Sequence, residues 1–556
     1  MKVVNCIMTK SDNKQRKTRD FIKNVLGEVP LTAELYWLIR NRSKGIQSRF
    51  SLTDLDKHIP EIVQYLCANQ TAAEPVKKIL VFATLHYWIS HAALISAALT
   101  GLGYDVSLGY LPYHDWQNPI NRFDLRRQNL YAQSILKKLN PFVKTFSFLN
   151  VYAGYKTLPA ELAQKAEQVA RFDSQYTLQV ETVDTDEPVY KMRLERNEDI
   201  ARNALAWLTT NKPDVVIIPN GTIQEFAVVY EVAKYLNIPV TTYEFGDQRQ
   251  RVWIAQDAKV MEQETDALWE AYRDKPLERS ELHKTRELFE ARRKASIWKN
   301  FSRLWQRAPA KGVTAARKEL GLDDERPVVL LATNVLGDSL TLGREVFTHT
   351  MEEWIVRTLQ YFVGKPNTQL VIRVHPGEML THGQSMVDVV QHVIPDLPEH
   401  IHLIKPEDTT NTYDLIAAAD LGLVYTTTVG LEMAMSGVPV VVVGNTHYAD
   451  KGFTIDPQSW VKYYKIIGSV LQDPVGHRLT DQQIDLAWAY AYRFFFDFPR
   501  PMPWHLVRMW EDYEQNPLSK VLSKEGRKEF EMTFRYLAGE PLDWVAIRDG
   551  KERFSG

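Results

Sequence analysis

Cysteine is scarce. The 556 residues hold two, Cys6 and Cys67, too few to staple a chain of this length, and no CxxC or Cys/His cluster offers a zinc site. A reducing cytoplasm is therefore the expected compartment. Long apolar runs are missing as well: no stretch reaches the ~18 uncharged residues of a membrane span. The opening Met1-Lys2-Val3-Val4-Asn5-Cys6 lacks the apolar core of a secretion signal. Charge of one sign is also lacking, since 67 Lys and Arg against 69 Asp and Glu leave a net charge of -2. That balance excludes a general nucleic-acid binder. Internal repeats are absent, which excludes solenoids and propellers, and no P-loop, HExxH or GxSxG occurs.

What remains is a globular chain, 45% hydrophobic and 24% charged, long enough for three to four domains at ~150 residues each. Residues 1–75 read as a polar, amphipathic helical extension, basic at Lys10, Lys14, Arg16, Lys17 and Arg19. The run Lys78–Thr84 reads as a buried strand, followed by a helix from about Ile89 to Leu102 and a second strand near Asp105-Val106. The same order returns at Asp214–Pro219, Phe226–Leu236 and Pro239–Tyr243. Continuous β-branched runs mark strands covered on both faces of a parallel sheet. Residues 76–264 thus form one Rossmann-like domain.

Residues 265–324 read as a helical, basic linker. Arg292 to Lys318 holds nine Lys and Arg and no acid, interleaved with Ile297, Trp298, Phe301, Leu304 and Trp305. Such a segment predicts a helix that either lies on an anionic membrane surface or joins two domains with a solvated basic face. A second α/β domain spans 325–475, with strands at Val328–Thr333, Gln369–Val374, His400–Ile404, Leu421–Tyr425 and Val438–Val443. Residues 476–556 form a helical, aromatic-rich tail, read as a brace packed across both domains.

In open parallel sheets ligands bind beyond the carboxyl ends of the strands. Unusual residues crowd those positions in the second domain. The strand Val371-Ile372-Arg373-Val374 runs into His375-Pro376-Gly377-Glu378. His375 there either donates to a phosphate or caps a tight loop. Leu421–Tyr425 leads into Thr426-Thr427-Thr428-Val429-Gly430-Leu431-Glu432, a hydroxyl-rich turn in which Gly430 admits a phosphate to the backbone. Glu432 either accepts from sugar hydroxyls or answers the helix dipole behind a Thr428 cap. Asn334 and Asp338 follow the first strand, and His447 follows the last. Arg373 and Glu378 flank His375 and complete the expected nucleotide-binding set.

Taken together, Tyr413-Asp414-Leu415-Ile416, Ala419-Asp420, Thr427–Glu432, Gly437-Val438-Pro439-Val440, Gly444, Tyr448 and Gly452 resemble the capsule polysaccharide synthesis proteins, which include Kdo transferases. His375-Pro376 is similar to the HP motif of CMP-sugar-using transferases, whose His contacts the nucleotide phosphate. The resemblance covers 325–460 well and the first half only in outline. It implies an α/β, GT-B type glycosyltransferase: two Rossmann-like parallel-sheet domains facing a cleft, with helical extensions at both ends. It implies a CMP-, UDP- or GDP-linked sugar held by the second domain as substrate, with no separate cofactor. It also implies a glycan or lipid-linked acceptor on the first domain, at the inner face of the cell membrane.

The first domain must then supply the catalytic carboxylate or base. Its candidates are His86 and Asp115, with Glu244 after a buried strand as general base or nucleophile; His91 and Asn220 also lie near strand ends. A salt bridge from Glu244 to Arg249 or Arg251 is the structural alternative. Asp184-Thr185-Asp186 spells a metal-binding DxD, but no strand precedes it, so no metal is expected. Two other functions fit the same residues: a non-hydrolysing nucleotide-sugar epimerase, and a non-catalytic nucleotide-sugar-binding partner in polysaccharide assembly.

Overall fold

Two parallel sheets organise the chain. The computed structural model describes residues 21–41, 50–69, 75, 77–154 and 157–551; Cys6 and the basic positions Lys10 to Arg19 lie outside them. The first sheet holds β1 (Lys78–Thr84), β2 (Asp105–Leu111), β3 (Val143–Ser147), β4 (Val215–Pro219), β5 (Val240–Glu244) and β6 (Arg251–Gln256). The second holds β7 (Val328–Ala332), β8 (Gln369–Arg373), β9 (Ile401–Ile404), β10 (Leu421–Val424) and β11 (Val440–Val442). A two-residue strand, β12 (Arg500–Pro501), returns from the tail to pair antiparallel with β6.

The orders are β12-β6-β5-β4-β1-β2-β3 and β11-β10-β7-β8-β9. β1 to β5 are mutually parallel and β6 is antiparallel to β5, while the second sheet is wholly parallel. In each sheet the chain starts in the middle, winds out to one edge and then crosses to the other side. The switch points lie between β1 and β4 and between β7 and β10. This is the doubly wound arrangement of a GT-B protein, and it opens a crevice at each switch point.

β4, β7 and β8 are buried at every residue because helices cover both faces. The helix His86–Gly101 is apolar all round and buried from Trp88 to Leu99, sandwiched between the sheet and tail residues such as Leu522. From the N-terminal extension, helix Thr53–Ala68 adds Leu55, Ile59, Ile62 and Leu66 to the first core.

The segment expected as a linker belongs largely to the second core, where Leu268, Trp269, Leu288 and Phe289 pack. Tail residues Tyr490, Phe494 and Phe495 join them. Beyond Pro499 the tail changes sides, and Met502, Trp504, Phe534 and Leu537 enter the first core.

The continuous helix expected over Arg292–Lys318 is not there. Helix Arg279–Arg293 ends, an irregular stretch follows with Ala295 and Lys299 in left-handed backbone, and a short helix resumes at Val313–Leu320. The aromatics turn inward: Phe301 is buried, and Trp298 packs on Phe301 and Phe496 with ring centroids 5.9 and 5.8 Å away. A membrane-lying helix is thereby corrected. No described helix is long and apolar enough to cross a membrane.

Candidate active site

A cleft of about 920 Å³ lies between the carboxyl ends of the two sheets. Asn220, Glu244, Asn334, Asp338, His375, Thr427 and Thr428 line it, so seven of the residues singled out in the sequence meet there.

On the first lip, β5 ends at Glu244. Asn220, at the end of β4 with left-handed backbone (φ 58°), donates from Nδ2 to Glu244 Oε2 at 2.9 Å. The Phe245 N–H donates to Oε1 at 2.9 Å. Burial raises the Glu244 pKa above the ordinary carboxylate value, and those two hydrogen bonds oppose the rise. Among the described residues no Arg or Lys forms an ion pair with Glu244, so the expected partners Arg249 and Arg251 do not hold it. A carboxylate with a raised pKa, oriented by an amide and open to a cleft, is suited to take a proton. Asp247 lines the same lip, and burial raises its carboxyl while Arg303 opposes the rise.

On the second lip, β8 ends in the His375 turn. The Gly377 N–H donates to His375 Nδ1 at 3.0 Å, which leaves the ring proton on Nε2 in the neutral form. Gly377 is required here, because a Cβ would sit 2.7 Å from Nδ1. Burial, with Arg303 and Arg373 adding repulsion, lowers the His375 pKa to about 4. At neutral pH the ring is an uncharged N–H donor. Asn334 Oδ1 accepts from the Thr426 N–H at 3.2 Å and joins the ends of β7 and β10. Thr428 precedes helix Val429–Met435 without a side-chain cap bond. Asp338 Oδ1 accepts from the Leu340 N–H at 2.9 Å, and burial raises its carboxyl.

The other expected residues serve elsewhere. Glu432 points away from the cleft into a buried ion pair, accepting from Arg292 Nη1 at 2.9 Å. Gly430 makes room for Tyr448, whose Oη would lie 2.4 Å from an added Cβ and donates to the Thr427 carbonyl at 2.5 Å. His447 is buried against Phe494, ring centroids 3.8 Å apart and nearly parallel, with Nδ1 2.9 Å from Tyr490 Oη. Arg373 is buried and donates to the Lys405 carbonyl at 2.7 Å. Glu378 accepts from Ser385 Oγ at 2.6 Å and from the Met386 N–H, closing a helix start.

In the first domain, His86 lines a separate pocket of about 330 Å³ against Leu506–Glu511 of the tail. Asp115 folds back on its own turn, accepting from Gln117 N–H, Asn118 N–H and Asn118 Nδ2. His91 is a core residue, 3.1 Å from the Trp504 carbonyl. Asp184 and Asp186 form a surface turn, with Asp186 paired to Lys191 at 2.7 Å. Among the described residues no cluster of three His, Cys, Asp or Glu could hold a metal.

Tyr176 and Asp247 carry no motif in the sequence, and Arg303 and Trp305 fall within the expected basic helix; all four line the cleft. Asp247 lies three residues beyond Glu244 on the same strand exit, a spacing that could have marked it.

Residues 276–463 match the family model of the capsule polysaccharide biosynthesis protein. Among solved structures, the KpsC beta Kdo 2,4 transferase of Thermosulfurimonas dismutans is 17% identical, covering 52% of this chain and 82% of its own, with a TM-score of 0.34. The beta Kdo 2,7 transferase of the same KpsC is 14% identical over 52% and 80%, with a TM-score of 0.29. The UDP-GlcNAc 2-epimerase from Neisseria meningitidis, bound to UDP-GlcNAc, is 13% identical over 76% and 99%, with a TM-score of 0.25. No curated protein matches the sequence.

Proposed function

We propose that this protein is a glycosyltransferase of surface polysaccharide synthesis, moving a sugar from a nucleotide donor to a glycan or lipid-linked acceptor. The carrying observation is the opposition across one cleft of Glu244, held by Asn220, and the neutral His375 beside Thr427 and Thr428. In this reading the second lip binds the nucleotide phosphate. His375 Nε2–H and the threonine hydroxyls donate to it and stabilise the charge that grows on the leaving group. Glu244 takes the proton from the acceptor hydroxyl. The match of residues 276–463 to capsule polysaccharide biosynthesis supports the same chemistry. No divalent metal is required in this scheme, because the leaving phosphate is met by N–H and O–H donors. A lipid-linked acceptor would bring the protein to a membrane surface.

The test is calorimetric titration of the full chain with CMP, UDP, GDP and their sugars, followed by donor turnover with and without chelator. Binding of one nucleotide, weakened in Thr428→Val and His375→Ala, is expected. Binding of none refutes the reading. Activity lost to chelator and restored by magnesium or manganese refutes the metal-free scheme.

One observation favours a second function. Glu244, Asp247 and Asp338 bring three carboxyl groups to a single cleft, which suits a nucleotide-sugar epimerase. Deuterium uptake from heavy water into the donor sugar, without acceptor, would identify that enzyme.

A further inference from the structure

The irregular stretch after helix Arg279–Arg293 crosses the mouth of the cleft, tied down at both ends. On the first domain the Ser302 N–H donates to the Asp247 carbonyl at 2.8 Å, and the Arg249 N–H to the Asn300 carbonyl at 2.9 Å. On the second, the Thr412 N–H donates to Gln306 Oε1 at 2.9 Å, and Arg307 Nη1 to the Glu407 carbonyl at 2.7 Å. The free span between these ties is Arg303, Leu304 and Trp305, and Arg303 and Trp305 both line the cleft.

Three arginines line this cavity. Arg344 is buried and donates to the Met261 carbonyl at 2.6 Å; Arg251 donates to the Pro499 carbonyl at 3.3 Å. Arg303 makes neither hydrogen bond nor ion pair among the described residues. Its charge nonetheless reaches Asp247, Asp338 and His375, on both lips. Trp305 is fixed from behind by the Arg292 guanidinium, 3.9 Å from its ring centroid, and Arg292 is fixed by Glu432. The exposed Arg303 guanidinium lies 5.5 Å from the Trp305 ring centroid and lines the cleft. Arg303 closes no ion pair with Asp247 or Asp338, and it lines the cleft together with the His375 N–H donor, where an incoming anion can accept from it.

We propose that residues 300–307 form a strap whose centre, Arg303 backed by Trp305, grips an oxyanion of the ligand, either a phosphate or a carboxylate. This rests on the reading that the cleft binds a nucleotide sugar. It adds a residue from the connecting segment to a site otherwise built from strand ends.

The experiment titrates full-length wild type, Arg303→Met and Arg303→Lys with inorganic pyrophosphate, glucuronate, glucose, CMP, UDP, GDP and the free nucleosides. Circular dichroism checks the fold, which an exposed side chain should not disturb. Expected is wild-type binding of pyrophosphate or glucuronate, weakened at least tenfold in Arg303→Met and less in Arg303→Lys, with nucleoside binding unchanged. Loss confined to pyrophosphate assigns a phosphate; loss confined to glucuronate assigns a carboxylate. If Arg303→Met binds both anions as wild type does, or wild type binds neither, the clamp is overturned. If nucleotides bind all the same, the nucleotide-sugar reading survives that failure. Conversely, Arg303-dependent anion binding without affinity for CMP, UDP or GDP would keep the clamp and remove that reading.

Discussion

Removing the Glu432 carboxylate should cost stability before it touches ligand binding. Its side chain and that of Arg292 are 6% and 1% exposed, 2.9 Å apart. Arg292 is otherwise enclosed by the rings of Phe289, Trp305 and Phe495, at 5.1, 3.9 and 4.6 Å. Losing one partner of such a pair strands a buried charge, a cost of about 3–5 kcal/mol. For a unit of 150–250 residues, each kcal/mol moves the midpoint by ~2–4 °C, so Glu432→Ala should lower the second domain's transition by roughly 6–20 °C. Replacing both partners by apolar groups of similar size is often near neutral, and the aromatic surroundings of Arg292 suit a methionine. The double variant Arg292→Met/Glu432→Leu should therefore melt well above Glu432→Ala. Differential scanning calorimetry of the ligand-free protein measures both. The reasoning fails if Glu432→Ala melts like a surface substitution, within ~0.5 kcal/mol of wild type, or if the double variant falls as far as the two single variants combined.

Other outcomes follow from the same geometry. Glu244→Gln should leave folding intact and reduce turnover by at least ~100-fold if Glu244 is the general base. In wild type the acid limb should lie above the ordinary carboxylate range, since burial raises this pKa; Asn220→Ala, which removes an opposing hydrogen bond, should move the limb higher still, as a pH–rate profile will show. His375 should remain neutral down to about pH 4, visible as unchanged Nδ1 and Nε2 shifts in nitrogen NMR; protonation near pH 6.5 would contradict its buried setting. Gly430→Ala should cost ~1–3 kcal/mol by forcing Tyr448 off the Thr427 carbonyl, and much less in a Tyr448→Phe background, read by urea unfolding. Glu181 accepts from the Met351 and Glu352 N–H groups across the domain interface, yet burial raises its pKa to about 7. Its folded pKa is raised, so its contribution is complete below the unfolded value and lost as pH rises through about 7. The melting temperature should fall between about pH 4.5 and about pH 7, less steeply in Glu181→Gln.

Much of the architecture is legible where one interaction decides it. Continuous apolar runs such as Val215-Val216-Ile217-Ile218 form strands wherever they are buried, and strand-exit turns rich in Thr, Asn and His mark the second lip. The edges were less readable. Val143-Lys144-Thr145-Phe146-Ser147 mixes polar and apolar residues because β3 has one neighbour, and β12 exists only because β6 offers it an edge. Within the site, the misplaced residues share a cause. Gly430 and Glu432 sit in a first helical turn, where the face turned to the cleft depends on how the helix packs. His86 follows β1 much as Asn220 follows β4, but the tail, hundreds of residues away, covers it. Arg303 and Trp305 lie in an irregular segment with no periodicity to read.

The tail's change of sides has a mechanical meaning. The chain passes from the first core to the second between β6 and helix Asp266–Tyr272, and returns between Asp497 and Arg500. The tail then crosses once more, for Trp544 packs on the second core and Arg548 Nη1 donates to the Ala271 carbonyl at 2.8 Å, so three covalent crossings stitch the domains together. Shortening the protein before Arg500 would remove the last two of these stitches, and the first sheet's edge strand would go with them.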